Sequence, residues 1–273
     1  MKNTYFIFLL SFLLISCNNN AQQQDPIPAH DSFTINSKLV GEIRTINVWL
    51  PTEYTQSKDS LPVMYMPDGG TKEDFPHIAN TLAALIKNKS IPPMILVGIE
   101  NTQRRRDLTG PTEIAEDKKI APVVGGSEKF RAFIKEELFT EINKKYRTNN
   151  KRGIIGESLA GLFIVETFFL QPDMFDYYIA MDPSLWWNNH YLVRTAKENL
   201  SNASFVNETR FWFAGSDAKD INSFTKDLAK ILTTEAKDNL LWKYSNEPKE
   251  QHITIYRATK EKALIWIFNP NMK

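Results

Sequence analysis

The stretch that decides how this chain folds is Arg152-Gly-Ile-Ile-Gly-Glu-Ser-Leu-Ala-Gly161. Ile154 and Ile155 make a short apolar strand, Gly156-Glu157-Ser158-Leu159-Ala160 turns sharply, and Leu162, Phe163 and Ile164 begin a helix. Strand, tight turn and helix with a serine at the apex is the layout of a nucleophile elbow. Such a turn strains the backbone, so the residues two before and two after the serine must be small. Gly156 and Ala160 satisfy this, although glycine is usual at both places. The same residues also fit a plain strand-to-helix turn with Ser158 as N-cap. A base, an acid and an oxyanion-binding loop elsewhere in the chain decide between the two readings.

Working outward, apolar periodicity predicts strands at 34–40, 42–50, 61–66, 94–99, 176–181, 209–214 and 240–244, besides the serine strand. Between them, Ile78, Leu82, Leu85 and Ile86 recur at helical spacing. Phe130, Phe133, Ile134, Leu138 and Ile142 form one face of a helix over 128–146. Helices also follow Ser158, run over 221–231 and close the chain at 255–268. Residues 100–126 show no periodicity, and a loop that long inside a domain is usually functional or mobile. Strands alternating with helices imply an α/β fold with a mostly parallel sheet of about eight strands and helices on both faces. The first two strands lie close enough to pair antiparallel. No helices separate the early strands, which excludes a TIM barrel and leaves an α/β-hydrolase arrangement.

The N-terminus reads differently. Lys2 precedes an apolar run, Tyr5–Ile15, that is too short to span a bilayer and ends in Leu14-Ile15-Ser16-Cys17. That pattern resembles a bacterial lipobox, so residues 1–17 are expected to be a lipoprotein signal ending at Cys17, the lipidated residue. Cys17 is the one cysteine, which excludes disulfides. Residues 18–30 read as a tether and 31–273 as a single catalytic domain. A periplasmic location on the outer membrane is expected, with the lipid as the membrane contact. A net charge of +1 gives no reason to expect a nucleic-acid partner. No metal-ligand spacing, phosphate loop or dinucleotide fingerprint occurs, so no cofactor is expected.

A serine hydroxyl needs a general base within hydrogen-bond reach. His30 precedes the domain, His77 suits a helix start, and His190 lies in the aromatic run Asp182-Pro-Ser-Leu-Trp-Trp-Asn-Asn-His-Tyr191. His252, after the last strand, is the expected base. The acid is expected after the strand at 209–214, as Asp217 with Asp220 the rival, giving the chain order serine, acid, histidine. The oxyanion hole is expected from the N–H of Leu159 and from the loop Asp68-Gly-Gly-Thr71, by Gly70 or Thr71.

These residues resemble the putative-esterase family of α/β-hydrolases, the group that includes esterase D and the enterochelin and ferri-bacillibactin esterases. The resemblance is carried from about Asp31 to Phe268 by Leu61-Pro-Val-Met-Tyr-Met-Pro-Asp-Gly-Gly70, Ile91-Pro-Pro-Met-Ile-Leu-Val-Gly-Ile99, Arg104-Arg-Arg-Asp-Leu-Thr109, Gly156-Glu-Ser-Leu-Ala-Gly161 and Pro183-Ser-Leu-Trp-Trp187. It implies ester hydrolysis through an acyl-serine on Ser158 with His252 as base. Ala160 departs from the usual glycine, and Asp182 stands where a serine often precedes the proline. Arg104 and Arg106 with Trp186 and Trp187 are expected to hold an anionic aromatic ester such as a catecholate siderophore. The competing reading pairs the arginines with Asp107 and Glu113 and puts the tryptophans in the core. The function expected is a siderophore-type serine esterase; the alternatives are an acetyl or feruloyl carbohydrate esterase and a non-catalytic siderophore-binding lipoprotein.

Overall fold

The computed structural model describes residues 25–270; the leader, Cys17 and the segment 18–24 lie outside the described residues. Strands β1 (Asp31–Ser37), β2 (Glu42–Trp49), β3 (Leu61–Met66), β4 (Ile95–Ile99), β5 (Thr148–Glu157), β6 (Tyr177–Met181), β7 (Thr209–Gly215) and β8 (Leu240–Asn246) form one eight-stranded sheet. Their order is β1-β2-β4-β3-β5-β6-β7-β8. β2 pairs antiparallel with both β1 and β4, and every other pairing is parallel. This is the α/β-hydrolase sheet, with the serine strand near its middle.

The apolar strands run unbroken because both faces are covered. Successive side chains point to opposite faces. Val63, Tyr65, Ile154, Phe211 and Phe213 therefore join one core, with Phe133, Phe163 and Phe168 from the helices packed there. Met64, Met66, Ile155, Trp212 and Ala214 join the other, with Phe75, Ile78, Leu82 and Leu264. Burying each large apolar side chain stabilises the fold by roughly 1.5–3 kcal/mol.

Three local differences from the sequence expectation have physical causes. β1 occupies Asp31–Ser37 rather than 34–40, because pairing from Asp31↔Val48 to Ser37↔Glu42 leaves 38–41 as the hairpin turn. Gly41 takes φ 73° there, which glycine tolerates without strain. β5 begins at Thr148, since polar residues at the start of a strand carry no apolar signal. The helix expected over 128–146 contains a π-helical stretch, Phe133–Leu138, between α-helical Ser127–Ala132 and Phe139–Lys145. The described end of the segment read as a tether, residues 25–30, lies against the domain. Arg257 pairs with Asp25 at 2.5 Å, and Asn80 donates to the Pro26 carbonyl at 2.8 Å.

Parallel register brings the loops of interest together. Tyr65 lies opposite Ile154 and Glu157 opposite Met181, so the chain leaving β3, β5 and β6 emerges side by side at the carboxyl end of the sheet. The loop after β3 is locked to β4: the Gly69 N–H donates to the Ile99 carbonyl at 2.9 Å. A Cβ on Gly69 would fall 2.2 Å from the Ile99 nitrogen and 2.3 Å from Gly98 Cα, both backbone atoms with no room to yield. Gly69→Ala is accordingly predicted to lower unfolding free energy by about 3 kcal/mol through overpacking. Urea denaturation showing an unchanged midpoint would refute the tight packing of this loop.

Candidate active site

Ser158 sits at the apex of the turn with φ 60° and ψ −118°, a conformation disfavoured for a side-chain-bearing residue. The turn is tight enough that a Cβ on Gly156 would approach the Ala160 methyl to 2.7 Å. Alanine is tolerated at 160 because Gly156 opposite it has no side chain. The Ser158 N–H donates to the Met181 carbonyl at 3.0 Å, and the Ser184 N–H donates back to the Ser158 carbonyl at 3.1 Å. The elbow is thus tied to the end of β6 from both sides.

His252 reaches the elbow from the loop after β8. Its Nε2 lies 3.1 Å from Ser158 Oγ, and its Nδ1 lies 2.7 Å from Asp182 Oδ2. Nδ1–H donating to the carboxylate leaves Nε2 as the acceptor facing the serine hydroxyl, the tautomer a general base requires. Asp182 is fully buried and accepts three hydrogen bonds: Ser216 N–H to Oδ1 and Ser216 Oγ–H to Oδ2, both 2.7 Å, besides that from the imidazole. The bond to Asp182 holds the His252 pKa above its ordinary 6.5, against burial, which pulls the other way.

The acid is therefore Asp182 rather than Asp217. Asp217 is exposed, and its backbone N–H donates to the Glu250 carbonyl at 2.9 Å. The rival Asp220 is also exposed and acts on His252 through its charge alone, the Nδ1 hydrogen bond being made to Asp182. Topology explains the difference. β6 adjoins β5 in register, so the first residue past β6 lies next to the elbow, whereas the end of β7 is one strand further away. The signal was in the sequence, as an aspartate closing an apolar strand at the start of Asp182-Pro-Ser-Leu-Trp-Trp.

Of the expected oxyanion donors, Gly70 is occupied: its N–H donates to Glu73 Oε2 at 2.7 Å. The N–H groups of Leu159 and Thr71 carry no hydrogen bond among the described residues. Asn101 Nδ2 fastens the loop by donating to Asp68 Oδ1 at 2.6 Å and to Glu73 Oε1 at 2.8 Å.

The four residues expected to hold substrate separate into two kinds. Arg106 is structural: it pairs with Glu42 of β2 and with Asp107 at 2.6 Å, and Arg44 completes this group on Asp107 at 2.7 Å. Trp187 is buried, with its indole N–H donating to the Gly110 carbonyl at 3.1 Å, so it anchors the long loop instead of offering a face. Arg104 grips Asp68 through Nε at 2.5 Å and Nη2 at 2.8 Å, and Trp186 is partly buried against Trp187. Asp117 strengthens the anchor by accepting from Thr112 Oγ at 2.7 Å and from the Asn188 N–H at 2.8 Å. Of the other histidines, His190 stacks on Phe224 with ring centroids 4.6 Å apart. His77, placed at a helix start by the sequence, is buried between Asp74 at 3.1 Å and Lys260 at 3.2 Å.

Serine, imidazole and buried carboxylate in hydrogen-bonded series define a serine hydrolase site on an α/β-hydrolase sheet. The family described as Putative esterase matches residues 37–260, and the chain belongs to that family. It is 25% identical over 278 residues to the ferri-bacillibactin esterase BesA of Bacillus subtilis (strain 168), covering 93% of this chain and 94% of that protein. It is 28% identical over 191 residues to a siderophore triacetylfusarinine C esterase of Aspergillus fumigatus, covering 63% of this chain and 61% of that one. The crystal structure of an IroE-like serine hydrolase from Shewanella oneidensis superposes with a TM-score of 0.79 at 27% identity, covering 90% of this chain and 82% of that chain. The protein is a serine-type esterase of this family.

The choice of acid is open to direct test. Asp182→Asn is predicted to reduce kcat about 10⁴-fold, because the amide favours the wrong imidazole tautomer. Asp217→Asn should stay within about 2-fold of wild type, as expected of a surface position outside the site. Steady-state turnover of a p-nitrophenyl ester reads both, and equal losses in the two variants would contradict the assignment.

Proposed function

We propose that the chain hydrolyses the ester bonds of a siderophore through an acyl-enzyme on Ser158. The observation that carries this reading is the unbroken series Ser158 Oγ, His252 Nε2, His252 Nδ1, Asp182 Oδ2 at 3.1 and 2.7 Å. As Ser158 Oγ attacks the ester carbonyl, its proton passes to His252 Nε2. Asp182 stabilises the resulting imidazolium without taking the proton. The Leu159 N–H, with the Thr71 N–H from the β3 loop, receives the charge that develops on the carbonyl oxygen; one such donor is worth about 10²–10³ in rate. The imidazolium then protonates the departing alcohol. Water attacks the acyl-serine by the same route in reverse, releasing the acid and restoring Ser158.

The siderophore substrate is supported by the activities named for BesA and for the A. fumigatus relative. Burial of Trp187 removes one of the two expected aromatic platforms for sugar and catecholate rings alike, so the choice between these esters rests on the relatives. A binding protein without activity has no use for a complete, correctly oriented triad. Export with a lipid on Cys17 is supported by the N-terminal sequence alone, and no helix among the described residues is long and apolar enough to cross a membrane.

Purified enzyme offered iron-free and ferric siderophore triesters beside acetylated and feruloylated sugars should cleave a siderophore ester with the highest kcat/KM, and Ser158→Ala should abolish that cleavage. Faster turnover of a sugar ester would overturn the substrate reading. For the anchor, mass spectrometry of the mature protein from its native host is expected to show a diacylglyceryl-modified N-terminal Cys17. An unmodified cysteine there would refute it.

A further inference from the structure

The segment Asp182-Pro-Ser-Leu185, which leaves the end of β6, brings two side chains to the elbow. Asp182 takes φ 45°, a left-handed backbone that aspartate tolerates better than most residues. Pro183 follows with its ring-fixed φ, and the chain presses against the start of the helix that leaves the elbow. The approach is close: a Cβ on Gly161 would lie 3.0 Å from both the Met181 carbonyl oxygen and Pro183 Cα. Ser184 therefore arrives beside the nucleophile. Its N–H holds the Ser158 carbonyl, its own carbonyl accepts from the Trp187 N–H at 3.1 Å, and its Oγ lies 3.4 Å from Ser158 Oγ.

Ser184 is 2% exposed, and a hydroxyl enclosed to that degree needs a hydrogen-bond partner. Ser158 Oγ is the one it has among the described residues. The triad fixes the direction of this bond. Ser158 carries a single hydroxyl proton, and His252 Nε2, unprotonated while Nδ1–H donates to Asp182, accepts it at 3.1 Å. The proton between the two serines therefore belongs to Ser184, which donates to a lone pair of the nucleophile. At 3.4 Å the bond is longer than the roughly 2.5–3.0 Å usual for O–H···O, so it contributes little at rest. An oxygen that is losing its proton draws such a donor in: O–H···O⁻ bonds shorten to about 2.5–2.7 Å and are about twice as strong.

We propose that Ser184 is a further catalytic residue, whose hydroxyl donates to Ser158 Oγ and stabilises the negative charge that builds there during attack on the ester. The proposal rests on Ser158 being the esterase nucleophile. It adds a donor to the nucleophile itself, separate from the N–H groups that receive the charge on the carbonyl oxygen. In acylation Ser158 Oγ bonds to the carbonyl carbon, the carbonyl π pair moves onto its oxygen, and the Ser158 proton passes to His252 Nε2. Ser184 keeps its own proton throughout. A bond that is weak to the resting hydroxyl and strong to the charged oxygen lowers the barrier without tightening substrate binding. Once the acyl group is in place, Ser158 Oγ is an ester oxygen and a poor acceptor, so the Ser184 hydroxyl does little for the attack of water.

p-Nitrophenyl pivalate separates the two steps, because its hindered acyl group leaves the serine slowly. The burst of p-nitrophenol reads acylation, and the linear phase that follows reads deacylation. Ser184→Ala is expected to slow the burst about 10-fold or more, the lower end for a lost hydrogen bond to a charged group, and to leave the linear phase within about 3-fold of wild type. The ester concentration that gives half the maximal burst rate should not change. Ser184→Cys keeps a side chain of similar size with a weaker S–H donor, and its burst rate is expected between those of wild type and Ser184→Ala. A burst as fast as wild type in Ser184→Ala, or in Ser184→Cys where only that variant folds, overturns the proposal. So does an equal fall of burst and linear phases, the mark of a disordered elbow and not of a lost donor. Wild type that releases p-nitrophenol no faster than Ser158→Ala overturns the esterase reading beneath the proposal, and the proposal with it.

Discussion

A single buried carboxylate organises the active end of this molecule. Asp182 is fully enclosed, and an enclosed charge is tolerable only when hydrogen-bonded and paired. Ser216 supplies two donors from the end of β7 and His252 supplies the third from the loop after β8. One side chain thereby joins the ends of β6, β7 and β8, and through the imidazole it reaches the elbow at the end of β5. The same contacts that satisfy a costly charge also fix the ring's tautomer and aim Nε2 at Ser158. Stability and chemistry share these bonds, so the geometry of the triad is as firm as the sheet that carries it.

Much of this was legible in the sequence, and what was missed has definite causes. The elbow could be read because a serine at a strand-to-helix apex needs small neighbours, and Gly156 and Ala160 supply them. His252 could be read because it stands between the last strand and the last helix. Asp217 was misleading because chain order fixes only that the acid falls between serine and histidine, and aspartates follow both β6 and β7. Deciding between them requires strand order, which periodicity does not provide: β6 is beside β5, and β7 is not. Arg106 and Trp187 were expected to face substrate for a related reason. A guanidinium or an indole looks the same in sequence whether its partner is a ligand or Asp107 and the Gly110 carbonyl.

The long segment after β4 gains a structural role from those same residues. Trp187, Asp117 and Arg106 fasten it to the region after β6 and to β2, so residues 100–126 are pinned at several points despite having no apolar periodicity. Arg104 ties its beginning to the β3 loop. The loops after β3 and β4 are therefore held by polar contacts made between loops.

Asp182, and not an acid after β7, holds His252 in register with Ser158. Proton NMR in water observes the bridging hydrogen directly, as a far-downfield resonance of the His252 Nδ1–H. This resonance is expected in wild type and in Asp217→Asn and is expected to be absent from folded Asp182→Asn. Its survival in Asp182→Asn, or its loss in Asp217→Asn, would contradict Asp182 as the partner of His252.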